Sequence, residues 1–384
     1  MHKHEQFDGR RTFLKTTAIA TVGVTGLAGC LGGEDDDDTE PDDDTEPGGD
    51  PEDDLEDELT IFQWGDYWPD GFVQTFEEEY DVDVSVSNFA SNEEMFNALQ
   101  AGGTDQYDII FPSDYMVNIL HEQDMIQSID VDALSNFGNL SAMFEEAPYD
   151  PGDERYSIPY QWGTSGIGWN VEMIGDVEIT SWDALWDEQW AGQMTMLDDM
   201  RETIGAALKR LGYSLNTTDE DEIEEAKELL IEQKELLRTY DSSNFDTNLI
   251  NEENSPVHGW SGGIMAAMWE TYDEDDGSPI NYAIPEEGSV VWVDTAAITA
   301  EAQAPNAAHA FIDHFLDAEN GAEITNYTYY GSPNEAAEEY IYDEILEDET
   351  IYPDDATMEK LEFIENIGQV TQTYDQAWTE IKNA

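Results

Sequence analysis

Two carboxylates raise the question of what chemistry this chain can do. In Thr195-Met196-Leu197-Asp198-Asp199-Met200-Arg201-Glu202 a short strand runs into a helix, and Asp199 and Glu202 stand three apart. That spacing puts both on one helix face. The same Asp-x-x-Glu spacing is a capping box, which satisfies free N–H groups at a helix start. Alone, the stretch favours the cap. Together with Asp66, Asp294 and the Trp and Tyr residues at other strand ends, it becomes a set of carboxylates with aromatic walls. Such a set suits a small organic cation. Each ammonium pairs with a carboxylate, and each aromatic face adds about 0.5–2 kcal/mol of cation–π attraction.

Other chemistries compete for the same residues. Gly259-Trp260-Ser261-Gly262-Gly263 matches the Gly-x-Ser-x-Gly nucleophile elbow, and Asp294 and His309 follow in hydrolase order. A serine hydrolase using Ser261 is therefore the alternative from a different class. Against it, His309 falls in an Ala-rich helical pattern with His314, and no His-Gly-Gly-type oxyanion loop lies upstream. Paired carboxylates with aromatic platforms also fit a glycosidase, but among 90 acidic residues any pair is common. Tyr327, Tyr329 and Tyr330 cluster as phenolate ligands of ferric iron would, without a cationic helper nearby. None of the six His residues has His-x3-His spacing, so no metal or other cofactor is expected.

The elements that must position these groups alternate between strand and helix. Leu59 to Trp64 reads as a buried first strand, Pro69 opens a helix to about Tyr80, and Val82 to Ser87 alternates with period two. Ser91 and Glu94 cap a helix to Gln100, Tyr107 to Pro112 is a third strand, and Ser113-Asp114-Tyr115 leads into a further helix. Tyr156 to Asn170 is an extended crossing segment, and Gly192 to Leu197 with the helix from Asp199 to Leu211 starts a second unit. A long exposed helix is expected from Asp219 to Tyr240, a helix at Trp260, and strands at Ile280 to Ile284 and Val290 to Ile298. Trp182, Trp186 and Trp190 read as core residues. From Pro305 the chain is mainly helical, ending with a helix from about Met358 to Lys382. This is an α/β pattern with a mostly parallel sheet. Open sheets of this kind bind ligands at the carboxyl ends of their strands, and two such units would face those ends across a cleft.

Composition narrows the partners. The chain has 384 residues and 90 Asp+Glu against 13 Lys+Arg, a formal net charge of −77. That excludes general nucleic-acid binding and disfavours docking on anionic lipid. Eleven Trp, 18 Tyr and 14 Phe argue for a folded chain. So acidic a fold repels itself in dilute buffer, and concentrated salt, with a Debye length of about 3 Å, removes the repulsion. A halophilic protein is expected. Arg10-Arg11-Thr12-Phe13-Leu14-Lys15 followed by an apolar run reads as a twin-arginine signal over residues 1–29. The run ends in Leu27-Ala28-Gly29-Cys30, a lipoprotein processing box with the chain's single cysteine as the lipidated residue. Residues 30–58 read as a solvated acidic tether.

From Leu59 onward the chain resembles the periplasmic spermidine/putrescine-binding proteins of polyamine ABC transporters. The resemblance rests on Ser91-Asn92-Glu93-Glu94-Met95, on Tyr156-Ser157-Ile158-Pro159-Tyr160-Gln161-Trp162-Gly163 and on Ser181-Trp182-Asp183-Ala184-Leu185-Trp186. Asp198-Asp199-Met200-Arg201-Glu202 and Pro285-Glu286-Glu287-Gly288 complete it, all in the family's order and spacing. It implies a two-lobed periplasmic-binding-protein-like fold of type II with a ligand cleft between the lobes. Lobe 1 would comprise residues 59–164 and 292–338, and lobe 2 residues 165–291 and 339–384. It also implies a monomer that closes on a polyamine and delivers it to the transmembrane subunits of a permease, with membrane contact through the lipid anchor only. Asp199, Glu202 and Asp294 would hold amino groups, with Asp66 near one ligand end. Trp64, Tyr67, Tyr115, Trp260, Trp292 and Tyr330 would wall the methylene chain, and Ser113 and Ser242 would support it. Two positions depart from the family pattern. Gly65 replaces a hydroxyl residue, and Ile364 stands in the C-terminal helix where some members have Gln.

Overall fold

Alternation in Leu59-Thr60-Ile61 buries Leu59 and Ile61 completely, so the folded chain enters its core within its first strand. The computed structural model describes residues 55–384 apart from 66, 90, 148, 151–153 and 274–276. The twin-arginine stretch, Cys30, nearly all of the tether and Asp66 therefore lie outside the described residues. No helix among the described residues is long and apolar enough to cross a membrane.

The chain runs β1 (Glu58–Trp64), α1 (Phe72–Tyr80), β2 (Asp83–Phe89), α2 (Asn92–Ala98), β3 (Ile109–Ile110) and α3 (Asp114–Glu122). The long β4 (Ile158–Asn170) leads to β5 (Met194–Met196), α4 (Met200–Leu211), α5 (Glu220–Lys234), β6 (Leu237–Tyr240), β7 (Val257–Trp260) and α6 (Ser261–Glu270). After β8 (Ile280–Ala283) and β9 (Val291–Ile298) come α7 (Pro305–Leu316), α8 (Ala318–Thr328) and α9 (Thr371–Asn383).

Strand order is β2-β1-β3-β9-β4-β7-β5-β6, with β8 also on β4. At one end β1 pairs in parallel with β2 and β3; at the other β5 pairs in parallel with β6 and β7. The joint is β4, buried along all 13 residues. Its first half, to Thr164, pairs antiparallel with β9; from Ser165 it pairs antiparallel with β7. A strand covered on both faces reads as a near-continuous apolar run, and the glycines of β4 interrupt that run where large side chains cross it.

Several expectations are corrected. The sheet is mixed rather than mostly parallel, because the long β4 and β9 pair antiparallel with each other and with β7, β8 and β3. The first helix begins at Phe72, not Pro69, because Gly71 holds a left-handed φ of 89° and Pro69 to Gly71 forms a turn. The helix expected from Asp219 to Tyr240 ends at Lys234, and the chain then forms β6. That helix is not simply exposed: Ile223, Ala226, Leu230 and Gln233, at helical spacing, are buried, the first three in a core shared with α4 and α9. The last helix begins at Thr371 rather than Met358. Met358 instead closes a short helical turn at Asp355–Met358, and residues 361–367 form a strap without helix. Its backbone is held by Ser289 and Val291, by Arg201 to Glu365 O at 3.0 Å, and by Asn216 to Phe363 O at 2.7 Å. Those long-range partners replace the i−4 bonds of a helix. As expected, Trp182 and Trp190 are buried in one core cluster, with Trp186 packed against it.

Candidate functional site

Asp294 sits on β9, and three side chains aim at it. Tyr67 donates its hydroxyl to Oδ2 at 2.5 Å, Ser113 donates to Oδ1 at 2.9 Å, and Gln161 reaches Oδ2 at 3.4 Å. Ser113 is fixed in turn by Asn92, which both donates to its hydroxyl and accepts from its N–H at 3.1 Å. Burial pushes the Asp294 carboxyl up to about 6, and these donors oppose that shift. Beside it, Asp114 at the start of α3 is fully enclosed. Burial pushes it up to about 8, against the N–H groups of Tyr115 and Val293, and the Asp294 charge adds to the rise.

Across β4, Asp199 and Glu202 divide their duties. Asp199 is the N-cap of α4 and accepts the Glu202 N–H at 3.0 Å. In a full capping box the Glu would reach back to the cap N–H. Here Glu202 Oε1 instead accepts from Ser165 at 2.8 Å and from the Trp260 indole at 3.2 Å. Only half of the box is made, and the Glu carboxylate is turned into the interior. Burial, then the Asp199 charge, pushes Glu202 up to about 8, and burial also raises Asp199. The nearest fixed cation, Arg201, directs its guanidinium to Glu365 O and Asn216 Oδ1.

Aromatic side chains join the two carboxylate groups. Trp292, Ile364, Val290 and Leu215 form one buried cluster, with Tyr115, Trp260 and Tyr330 packed against it. Trp292 meets Tyr330 edge-on at 4.9 Å. Glycine makes these close approaches possible: a Cβ on Gly163 would lie 2.6 Å from the Trp292 ring, and one on Gly262 2.4 Å from Tyr330. Gly163→Ala should therefore destabilise the protein by about 1–3 kcal/mol, since overpacking displaces a ring that has nowhere to go. Thermal unfolding of the variant checks this; an unchanged midpoint would contradict it.

The expected site residues do not all meet at one place. Asp199, Glu202, Asp294, Ser113, Tyr115, Trp260, Trp292 and Tyr330 come together. Tyr67, expected as a wall, donates its hydroxyl to Asp294 and is buried and stacked on Tyr160. Trp64 packs edge-on against Phe89 and donates to Phe111 O, within the cores around β1. Ser242 lies in the turn after β6, its hydroxyl buried with no hydrogen-bond partner among the described residues. Ile364 lines the cluster from the strap, not from a helix.

Asp114, Gln161, Asn92 and Ser165 escape the sequence reading. Gln161 and Ser165 carry a signal, as polar residues within the buried run of β4. The hydrolase groups are not assembled. Ser261 is buried and receives the Thr164 N–H at 3.3 Å, whereas His309 accepts the Asp130 N–H at 3.0 Å. His309 borders a surface recess of about 740 Å³ that contains none of the carboxylates above. The tyrosine cluster is likewise divided, with Tyr329 stacked on Trp269 and Tyr330 edge-on to Trp292.

The comparisons agree with this architecture. The profile of bacterial extracellular solute-binding proteins matches residues 71–359. The spermidine/putrescine-binding periplasmic protein of Salmonella typhimurium is 33% identical over 326 residues, covering 85% of this chain and 92% of that one. The putrescine/cadaverine-binding protein of Pseudomonas aeruginosa is 30% identical over 334 residues, covering 85% and 94%. Among solved structures, a spermidine/putrescine ABC transporter protein of Listeria monocytogenes superposes with a TM-score of 0.78 at 32% identity, covering 85% of this chain and 99% of its own. A lipoprotein of Treponema pallidum gives 0.74 at 30% identity with the same coverage. The chain belongs to the bacterial extracellular solute-binding protein family and has its two-lobed α/β fold.

Proposed function

We propose that this protein captures a polyamine outside the cell and delivers it to the permease of an ABC transporter. One observation carries the reading. Glu202 and Asp294 are buried among aromatic rings, with Asp114 and Asp199 beside them, and none of the four forms an ion pair with Lys or Arg among the described residues. Buried charges are normally paired, so a site of this kind calls for a cation from outside. A chain of methylenes between ammonium groups matches carboxylates joined by Trp292, Trp260, Tyr115 and Tyr330. The relatives named for spermidine, putrescine and cadaverine support the same class. Tyr330 and Trp292 then serve as ligand walls, and the chemistry is capture and release without a covalent step.

The lobe boundaries proposed are 59–164 with 292–338 and 165–291 with 339–384, supported by the change of β4 partners between Thr164 and Ser165. The twin-arginine and lipoprotein-box motifs support export and anchoring through Cys30, the acidic composition supports a halophilic protein, and the family resemblance supports a monomer. Two measurements test the reading. A thermal-shift screen in molar salt should show stabilisation by spermidine or putrescine and none by ferric citrate or neutral sugars; the reverse pattern would overturn the polyamine class. Unfolding followed from dilute to molar NaCl should show stability rising with salt, because screening relieves the self-repulsion of a −77 chain. Greatest stability in dilute buffer would refute the halophilic part.

A further inference from the structure

His258 on β7 is fully buried, and neither ring nitrogen has a hydrogen-bond partner among the described residues. Its Nε2 lies 3.9 Å from Glu202 Oε2, and that oxygen also lacks a hydrogen-bond partner. The other oxygen of the carboxylate is held by Ser165 and Trp260. Trp182 closes the ring's surroundings edge-on at 5.1 Å. An apolar side chain of similar size would fill this place without burying two unsatisfied nitrogens. The imidazole therefore has work beyond filling space, and the group it faces is a carboxylate of the site.

We propose that His258 is a positioning residue for the ligand site: a neutral imidazole that donates from Nε2 to Glu202 Oε2 when Glu202 is ionised. The proposal rests on the polyamine reading, in which a ligand ammonium is what ionises Glu202. Closing the gap takes a movement of about 1 Å to reach hydrogen-bond distance. A neutral donor suits the task better than Lys or Arg, which would neutralise the carboxylate and compete with the ligand's ammonium. Burial keeps the ring neutral by holding its pKa down to about 3. The other titratable groups facing Glu202 are Asp199 at the N-cap of α4, Asp114 on α3 and the Tyr282 phenol on β8. The two acids repel its charge, and the Tyr282 hydroxyl is engaged with Thr164 at 2.9 Å. His258 is thus placed to hold the second oxygen without consuming the negative charge.

The test compares the full chain with His258→Leu and His258→Gln in molar salt. Gln keeps an N–H near the Nε2 position; Leu keeps bulk without a donor. Spermidine titration should show binding about tenfold weaker in the Leu variant, its pH profile displaced to higher pH, and most of the loss restored by Gln. A purely structural role would lower the unfolding midpoint and leave the pH profile in place. Identical affinity and pH profile in wild type and the Leu variant would overturn the proposal, as would a folded Gln variant no better than Leu. Nitrogen-15 NMR of the ring gives a reading independent of ligand. Above the value of about 8 to which burial pushes Glu202, the ring should be the neutral Nε2–H tautomer. An Nδ1–H tautomer or an imidazolium there would refute the pairing. If spermidine fails to bind wild type while the ring shows Nε2–H, the ligand assignment falls and the His258–Glu202 pairing stands.

Discussion

Asp294→Asn should weaken spermidine binding at least about thirtyfold, because removing one partner of a buried, hydrogen-bonded charge pair costs about 2–5 kcal/mol. The amide keeps the shape of the carboxylate, and its Oδ1 still accepts from Ser113 or Tyr67. What is lost is the charge that an ammonium needs. The ligand-free variant should be no less stable than wild type above about pH 6, since Asp294 there is an ionised group held in an enclosed site that resists its charge. Loss of affinity without loss of stability is the signature of a binding residue. Calorimetric titration alongside thermal unfolding measures both. Affinity within threefold of wild type would remove Asp294 from the ligand site.

Polyamine affinity should rise with pH between about 6 and about 8, the values to which burial raises Asp294 on the one hand and Glu202 and Asp114 on the other. The sign follows from proton counting. A carboxyl with a raised pKa holds a proton in the ligand-free fold that it gives up when an ammonium arrives. Binding therefore releases protons, and each proton released makes affinity climb about tenfold per pH unit across that window. The same shift works against the ligand-free fold. Between the ordinary carboxylate range and the raised values, the native chain binds more protons than the unfolded one, so its stability falls as pH rises. Titration in two buffers of different ionisation heat counts the protons directly. Flat affinity from pH 6 to 8, with no buffer dependence of the heat, would contradict the arrangement.

Much of this site is legible in sequence because its parts stand at strand ends and helix starts. Leu59 to Trp64, the glycine-punctuated β4 and the step from Met196 into α4 each show their period plainly. Asp199 and Glu202 are identifiable by type and spacing, but not their division of labour. Only the structure shows that Glu202 turns from the cap to Ser165 and Trp260. The strap at 361–367 is hidden for a related reason: its backbone partners, Ser289, Arg201 and Asn216, lie far away in the chain. Local pattern favours a helix there, and long-range hydrogen bonds prevail. Asp114 and His258 are invisible for want of contrast. One acid among 90 and one histidine on a short strand acquire meaning only from what encloses them.

The strap also explains how Ile364 enters the site. It reaches the aromatic cluster because Asn216 and Arg201 hold Phe363 and Glu365 on either side of it. Asn366, just beyond, donates to Asn118 of α3 at 2.8 Å and so ties the strap to α3. An apolar residue at position 364 offers no hydrogen bond to a ligand amine, a contact otherwise worth about 1.5–3 kcal/mol with a charged group. On the proposed polyamine reading, this end of the site would take methylenes more readily than a terminal ammonium, leaving charge recognition to Asp294, Glu202 and their neighbours.

The most direct test of polyamine capture is titration calorimetry of the purified protein in molar salt with putrescine, spermidine and spermine, with salt alone as the blank. Saturable binding of one ligand per chain is predicted, and it should persist in molar salt because buried pairs are screened far less than surface charges. No saturable heat with any of the three, from protein shown to be folded under the same conditions, would contradict it.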